Sequence, residues 1–526
     1  MVSDLLGNDD RDPVRTLWEL VERRAQLTPD QPLLLGERAE LNSDLTCAEF
    51  KARCERVAAG LYDMGIRPGS PVSWQLPTRV DTVVLSLALA RLGAVQNPII
   101  HIYRQKEVAF ALRKTEAELV CVPGTWRGFD YEAMVREIST DLPKPPQVLV
   151  TDQGLPEGDP AVLPPPPTTT DDVRWIYFTS GTTSDPKGVR HTDGTLLAGG
   201  IGLAIALDVS PSDVGSIAFP FAHIGGPDYL IMILSAGFPA VLIEAFEINA
   251  AIATYNARGA TICGGVTAMY EAVLGAQRRH ISGGGTGRVV PSLRMMSGGG
   301  APKPPELFYE VQREMGIPVA HGYGMTEVPM ITQGSPLDAD EQLARTEGAP
   351  IKSITVRLVT EEGKEAPVGV EGEVRVKGGA VCHGYLDPEH DKVAFDDDGW
   401  FRTGDLGVRN EDGHITLTGR LKDVIIRKGE NVSAKEIEDL LYAHPSVAGV
   451  AVIGLPDRER GELVCAVIEP EPGNEPMTFP QMSDYLQQAG LARYKVPERL
   501  EIVDALPRNA TLKILKYKLR DEYAAK

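Results

Sequence analysis

The chain has 526 residues, 43% of them hydrophobic and 24% charged, which is the size and balance of a soluble protein of two or more domains with ample core. A net charge of −20 argues against nucleic acid or anionic membrane as a general partner, although a local basic site for phosphates remains compatible with it. Six scattered cysteines with no C-x-x-C pair give no disulfide or zinc framework, and the first residues lack a basic, apolar leader, so a cytoplasmic setting is expected.

Helical spacing runs over 14–27 and again over 45–61, where Thr46 is placed to cap the start. A strand over 72–76, a helix over 80–92 and strands over 94–100 and 119–122 follow, the alternation of a layered α/β unit. The stretch 156–170, with prolines 164 to 167 in a row, predicts a stiff, extended connection between lobes. Strands are predicted at 216–221, 240–246, 261–265 and 293–296 with helices between them, giving a second layered unit with a mainly parallel sheet. The apolar region 229–246 is broken by Gly237 and Pro239 and is too short to span a bilayer, so no integral membrane segment is expected. Residues 354–378 alternate like antiparallel strands with one wet face. Past residue 420 the pattern changes to a small β-α-β arrangement, with a capping box at Ser433 to Glu436. The predicted fold class is therefore multidomain α/β. It has a large N-terminal domain, 1–421, of two layered α/β subdomains plus a β-rich one. A small, mobile α+β domain, 422–526, follows.

The most unusual stretch is Thr179-Ser-Gly-Thr-Thr-Ser-Asp-Pro-Lys-Gly188. It follows the β-branched and aromatic run 173–178 and precedes a helical pattern near Thr192, so it is expected to leave a strand and enter a helix. Hydroxyls, bare backbone amides and one lysine in that setting are the chemistry of a polyphosphate cradle. It is not a Walker A loop, because Lys187 is followed by glycine rather than Ser or Thr. Taken alone, a Gly/Ser/Thr loop is a polar surface loop about twice as often as a cradle.

Further words follow in order: Ser297-Gly-Gly-Gly-Ala-Pro302, His321-Gly-Tyr-Gly-Met-Thr-Glu327, Thr403-Gly-Asp405, Gly419-Arg-Leu-Lys-Asp423, Lys428-Gly-Glu-Asn-Val432, and Lys513 in a segment that opens at Pro507. Each has an ordinary reading by itself: a turn, a capping aspartate, a surface ion pair, a solvated basic helix end. Together they resemble the class I adenylate-forming superfamily of acyl-CoA synthetases, aryl-acid ligases, luciferases and peptide-synthetase adenylation domains. The similarity spans about residues 170 to 520. It is greatest to acyl-CoA synthetases, in particular bacterial medium-chain and alicyclic-acid CoA ligases.

That resemblance implies ATP and Mg²⁺ as cofactors, CoA as co-substrate and a small carboxylic acid as partner, with a homodimer left open. It implies that Thr179, Ser180, Gly181, Thr182, Thr183 and Lys187 hold phosphates. It places Tyr323 on the adenine, makes Gly299, Gly300, Ala301 and Gly324 cofactor-binding, and puts Asp405 and Arg420 at the ribose. Glu327 would hold the metal, Thr326 the α-phosphate, and Lys513 would bridge carboxylate and nucleotide as the catalytic lysine. Lys422 would be the hinge, and Gly429 would line the thiol's path. The acid pocket would be formed by His223, Ile224, Gly225, Gly265, Val266, Gly298, Met325 and Met330. These residues carry no charged partner for a substrate amine, and their glycines suggest room for a bulky or cyclic acyl group.

Two departures matter. Leu512 replaces the glycine that usually precedes the C-terminal lysine. Ile224 stands where siderophore-pathway aryl-acid ligases usually have asparagine, which argues against a hydroxylated benzoate. Loading of a carrier-protein pantetheine and a non-catalytic nucleotide-binding role stay open as alternatives to a CoA ligase.

Overall fold

The computed structural model describes residues 13–37, 44–179, 186–301, 303–428, 430–508 and 514–524. Its N-terminal part is built from helices α1 (Leu17–Leu27), α2 (Cys47–Asp63) and α3 (Val80–Leu92) around strands β1 (Pro32–Leu35), β2 (Pro71–Trp74), β3 (Val95–Pro98), β4 (Leu119–Val122) and β5 (Gln147–Val150). Helix α2 starts at a reciprocal cap. The Thr46 hydroxyl accepts from the Glu49 N–H at 3.2 Å, and the Glu49 carboxylate accepts from the Thr46 N–H at 2.9 Å. Helix α3 is buried along nearly its whole length, which is why its sequence is apolar all round rather than striped.

Strands β6 (Val173–Phe178) and β7 (Gly188–Thr192) complete a six-stranded sheet in the order β7-β6-β3-β2-β4-β5. Two sequence expectations change here. The proline-rich run does not join two lobes. It carries the chain from β5 at one side of this sheet back to β6 of the same sheet, across α2, where the Gly158 N–H donates to the Arg56 carbonyl at 2.9 Å. Proline content reports an extended backbone, not which elements the extension connects. The candidate phosphate loop does not enter a helix either: β6 and β7 pair antiparallel, Phe178 opposite Gly188, so the loop caps a hairpin. Only after β7 does the chain start α4 (Asp193–Ala206), capped by Thr192.

Strands β8 (Gly215–Ile217) and β9 (Ala240–Leu242) run parallel to β1, with α5 (Gly225–Ala236) between them. Strands β10 (Ile262–Gly265), β11 (Met295–Gly299) and β12 (Val319–Met325) are parallel, and β13 (Val328–Gln333) is antiparallel to β12. Helix α6 (Thr267–Ser282) connects β10 to β11. One continuous apolar core lies beneath these layers and includes Trp18, Trp74, Trp175, Phe221 and Phe308. A β-rich unit follows, the antiparallel sheet β14 (Ile354–Val359), β15 (Gly372–Gly378), β16 (Phe401–Arg409) and β17 (Ile415–Arg420).

After the 3-10 turn Leu421–Asp423 the chain builds a separate sheet with its own core around Ile437, Val452, Val464 and Leu486. It comprises β18 (Ile425–Arg427), β19 (Glu430–Val432), β20 (Val447–Asp457), β21 (Gly461–Pro470) and β22 (Arg499–Ile502). Helix α7 (Ala434–Tyr442) precedes β20, and α8 (Lys516–Ala524) ends the fold. Among the described residues no helix is long and apolar enough to cross a membrane.

Candidate active site

The large N-terminal part and the small C-terminal one enclose a cleft of about 1000 Å³. Gly300, Ala301, Tyr323, Gly324, Asp405 and Arg420 reach it from one side, and Arg508, Ile514 and Lys516 from the other. The parallel strands β11 and β12 both end at this wall, the place where open α/β sheets bind ligands.

Asp405 and Arg420 face each other across β16 and β17, with Arg420 Nε 2.6 Å from Asp405 Oδ1. The Tyr323 hydroxyl donates to the second carboxylate oxygen, also at 2.6 Å. Asp405 is 2% exposed, so its charge is held by these two partners. Burial raises the Tyr323 phenol, aided by the neighbouring Asp405.

A second cluster forms around Glu327, 7% exposed, whose Oε1 accepts the Tyr385 hydroxyl at 2.8 Å. Lys187 Nζ lies 5.2 Å from the Tyr385 ring centre. The Thr179 N–H donates to the Lys187 carbonyl at 3.0 Å, closing the base of the hairpin loop. Burial raises the Glu327 carboxyl, while Tyr385 and the charges of Lys187 and Arg420 work against that rise. A cation beside this carboxylate would remove the penalty. Among the described residues no three His, Cys, Asp or Glu side chains could hold a metal by themselves. A lone carboxylate next to a phosphate loop fits Mg²⁺, which takes one or two carboxylates and completes its shell with phosphate oxygens and water.

Two buried histidines fix the motif loops. The backbone carbonyl of Thr326 is bonded by His191 Nε2 at 2.7 Å, and that of Ala301 by His321 Nε2 at 2.9 Å. A carbonyl can only accept, so each Nε2 carries the proton. Desolvation lowers His191 to about 4 and His321 to about 3, leaving both rings neutral at pH 7.

A model of the family described as AMP-binding enzyme matches residues 21–386. The chain belongs to the AMP-binding enzyme family. The family's C-terminal domain matches 436–513. Among its relatives are the medium-chain fatty-acid–CoA ligase of Escherichia coli K12, 29% identical over 96% of this chain and 90% of that one. The salicyl-AMP ligase / salicyl-S-ArCP synthetase of Mycobacterium tuberculosis is 30% identical over 94% of this chain and 88% of its own. The o-succinylbenzoate coenzyme A synthetase of Bacillus subtilis, solved with ATP and magnesium ion, superposes with a TM-score of 0.83. It is 28% identical and covers 95% of this chain and 99% of that one. The chain is thus an enzyme of the acyl-CoA and aryl-acid ligase class, with a large N-terminal and a small C-terminal domain.

For an AMP-binding enzyme the sequence words fall into distinct places. Tyr323, Gly324, Gly300, Ala301, Val266, Asp405, Arg420 and Lys422 line the cleft. Thr179 and Lys187 close the base of the β6–β7 hairpin, Glu327 lies within reach of the Lys187 charge, the Thr326 carbonyl is bonded to His191 of β7, and Gly299 ends β11. His223, Ile224 and Gly225 open α5, Gly265 and Gly298 sit at the ends of β10 and β11, and Met325 and Met330 flank the turn between β12 and β13. His223 is held neutral, its pKa lowered to about 4 by desolvation, and its Nδ1 accepts from the Gly225 N–H at 3.2 Å. Ser180, Gly181, Thr182, Thr183, Gly429 and Lys513 lie outside the described residues.

Gly265 and Gly298 of the candidate acid pocket do not leave the room that the sequence suggested, whereas a Cβ at Gly225 would meet nothing nearer than 3.5 Å. A Cβ at Gly298 would run into the Gly265 carbonyl, and one at Gly265, where φ is +141°, would come within 2.7 Å of Met269 Sδ. A Cβ at Gly226 would strike the Phe221 carbonyl. Gly298 serves close backbone packing and Gly265 a positive φ against the Met269 side chain, so these two are no argument for a bulky acid.

Sequence reasoning also passed over Asp228. It sits in the first turn of α5 at 1% exposure, and neither carboxylate oxygen has a hydrogen-bond partner among the described residues. Desolvation raises its pKa well above the usual carboxylate range. Among the described residues the nearby Tyr177 hydroxyl is buried and without a hydrogen-bond partner as well.

Proposed function

We propose that the protein is an ATP- and Mg²⁺-dependent acyl-CoA ligase. In this reading it activates an apolar carboxylic acid, medium-chain, branched or cyclic, as the acyl-adenylate and passes the acyl group to CoA. The observation that carries the reading is the two-sided cleft. The Tyr323–Asp405–Arg420 network stands on one wall, and Arg508 and Ile514, which bracket Lys513 in sequence, stand on the other.

In the first step a carboxylate oxygen attacks the α-phosphorus of ATP, the α–β phosphoanhydride bond breaks, and pyrophosphate leaves. No general base is required, because the acid is ionised at pH 7. Tyr323 stacks on adenine, with Gly299, Gly300, Ala301 and Gly324 beside it, and Asp405 and Arg420 meet the ribose. The 179–188 hairpin loop cradles the β- and γ-phosphates, and Thr326 meets the α-phosphate. Lys513 neutralises charge between the two reacting anions, a fixed cation aimed at where negative charge builds up. Glu327 would hold Mg²⁺, which supplies charge neutralisation at the phosphates.

In the second step the sulfur of CoA attacks the acyl carbonyl, the bond to AMP breaks, and the thiol proton is lost. We take residues 1–421 as the adenylation domain and 422–526 as a mobile one that turns at Lys422 between the steps. Gly429 then lines the thiol's path. Ile224, Val266, Met325 and Met330 give the acid pocket apolar walls beside His223, with no charged partner for a substrate amine among these residues. The enzyme in this reading works in the cytoplasm, with a homodimer as the assembly to test by light scattering.

The test is AMP formation with ATP and CoA across acids from short linear to alicyclic and aromatic, with Lys513→Ala alongside. Turnover of an apolar acid, lost in the variant, is expected. Best turnover of an amino acid or a polar aromatic acid would refute the apolar assignment. Pyrophosphate release without a thioester to free CoA would point to a carrier protein as acceptor.

A further inference from the structure

Helix α7 leans on the large domain and is tied to it at both ends. At its start the Ser433 hydroxyl donates to the Thr418 carbonyl of β17 at 2.7 Å. At its end the Tyr442 hydroxyl donates to Glu271 of α6. The two anchors are not equivalent. Ser433 lies beside Gly419, two residues before the Leu421–Asp423 turn that links the domains, so a rotation there moves it little. Tyr442 lies about 13 Å further along the helix axis, at 1.5 Å per residue, and is carried through a larger arc.

Glu271 has a second attachment. Arg508 of the small domain lies close enough to stabilise its charge, and Arg508 is bridged to Ile514 in an antiparallel pair. Glu271, Tyr442, Arg508 and Ile514 all line the same cleft. On the large-domain side Glu271 sits one turn into α6, which starts immediately after Val266. A single carboxylate thus joins the helix behind the candidate acid pocket to both α7 and the 508–514 bridge.

We propose that Glu271 and Tyr442 are positioning residues for the first half-reaction: their contact holds the far end of α7, and with it the 508–514 bridge, over the nucleotide side of the cleft, and it opens before the second. The proposal rests on the two-step ligase reading above. Neither residue touches the reacting atoms.

The groups around Glu271 give the contact a pH dependence. Burial is the main cause of a pKa raised to about 7. Arg508 opposes the rise, while Glu471 and Glu469 of the small domain and Glu310 of the large one add to it. Ionised Glu271 is the stronger acceptor for Tyr442 and the stronger partner for Arg508. Lowering the pH through 7 therefore weakens the contact.

The test uses the full chain and follows the half-reactions separately, with the acid that the wild type turns over best. Acid-dependent exchange of pyrophosphate into ATP reports the first, and thioester formation from synthetic acyl-adenylate and CoA reports the second. Glu271→Gln and Tyr442→Phe are each expected to slow exchange tenfold or more and to leave thioester formation within twofold. The double variant should be no worse than Glu271→Gln alone, because that change already weakens the acceptor Tyr442 uses. The wild-type exchange rate should fall as pH drops through 7, and Glu271→Gln should lack that limb. Equal loss in both half-reactions, no loss in either, or additive losses would overturn the proposal. Tyr442→Phe removes one hydroxyl, and an unchanged melting temperature separates its effect from unfolding. If the wild type shows no exchange with any acid, the ligase reading itself fails.

Discussion

Tyr385 donates its hydroxyl to Glu327 at 2.8 Å from a position 58 residues further along the chain. That bond holds a carboxylate that burial would otherwise protonate more readily. It also ties the segment after β15 to the turn between β12 and β13, since the Cys382 N–H donates to the Glu327 carbonyl at 2.8 Å.

Tyr385→Phe is therefore expected to weaken magnesium use without disturbing the fold. A hydrogen bond to a charged group is worth roughly 1.5–3 kcal/mol, or about tenfold to a hundredfold in apparent Mg²⁺ affinity. Glu327 loses the hydrogen bond that opposes the effect of burial, so its pKa rises further and the acid limb of the pH–rate profile moves to higher pH. AMP formation measured against Mg²⁺ concentration at several pH values checks this. An unchanged Mg²⁺ dependence would remove Glu327 from the metal role.

The Asp405 carboxylate serves two donors at once, so charge and shape can be separated there. Asp405→Asn keeps the volume but removes the charge that Arg420 and Tyr323 share. We expect KM for ATP to rise on the order of tenfold to a hundredfold, while KM for the acid changes little. Tyr323→Phe, which deletes one donor and keeps the ring, should cost only a few-fold. Initial rates with each substrate varied in turn distinguish the two, and an equal rise in both KM values would argue for general loosening of the cleft.

These partners show what local sequence can and cannot reveal. The motif words were legible because each is a short run of chain whose residues act together: Tyr323 to Glu327, Thr403 to Asp405, Gly419 to Asp423. The alternation of strands and helices was legible for the same reason, down to Thr46 as the cap of α2, though not the Glu49 half of that cap. Tyr385, Glu271 and Asp228 were not, because their meaning depends on what the fold brings beside them. Glu271 and Tyr442 are 171 residues apart in sequence. Gly265 and Gly298 misled in a related way: a glycine shows that a Cβ is missing, and only the packed structure shows whether neighbouring atoms fill the place. The hairpin behind the phosphate loop was missed because Gly188 to Thr192 is short, and its strand character comes from pairing with β6.

Asp228 provides a stability prediction whose sign can be worked out. Its carboxyl is buried without a hydrogen-bond partner among the described residues and stays protonated well above the usual carboxylate range. In the unfolded chain it ionises near pH 4. Below that pH both states are protonated and the residue carries no ionisation penalty. Above it the unfolded chain gains an ionised form that the fold resists, so stability is lost at about 1.4 kcal/mol per pH unit until the folded pKa is reached. Asp228→Asn removes the titration and leaves only a pH-independent cost for an unpaired amide. The melting temperature of the variant relative to the wild type should therefore increase steadily from pH 5 to pH 7. A difference that stays flat across this range would mean that Asp228 ionises in the folded enzyme as it does in the unfolded chain, and that a partner for it remains to be found.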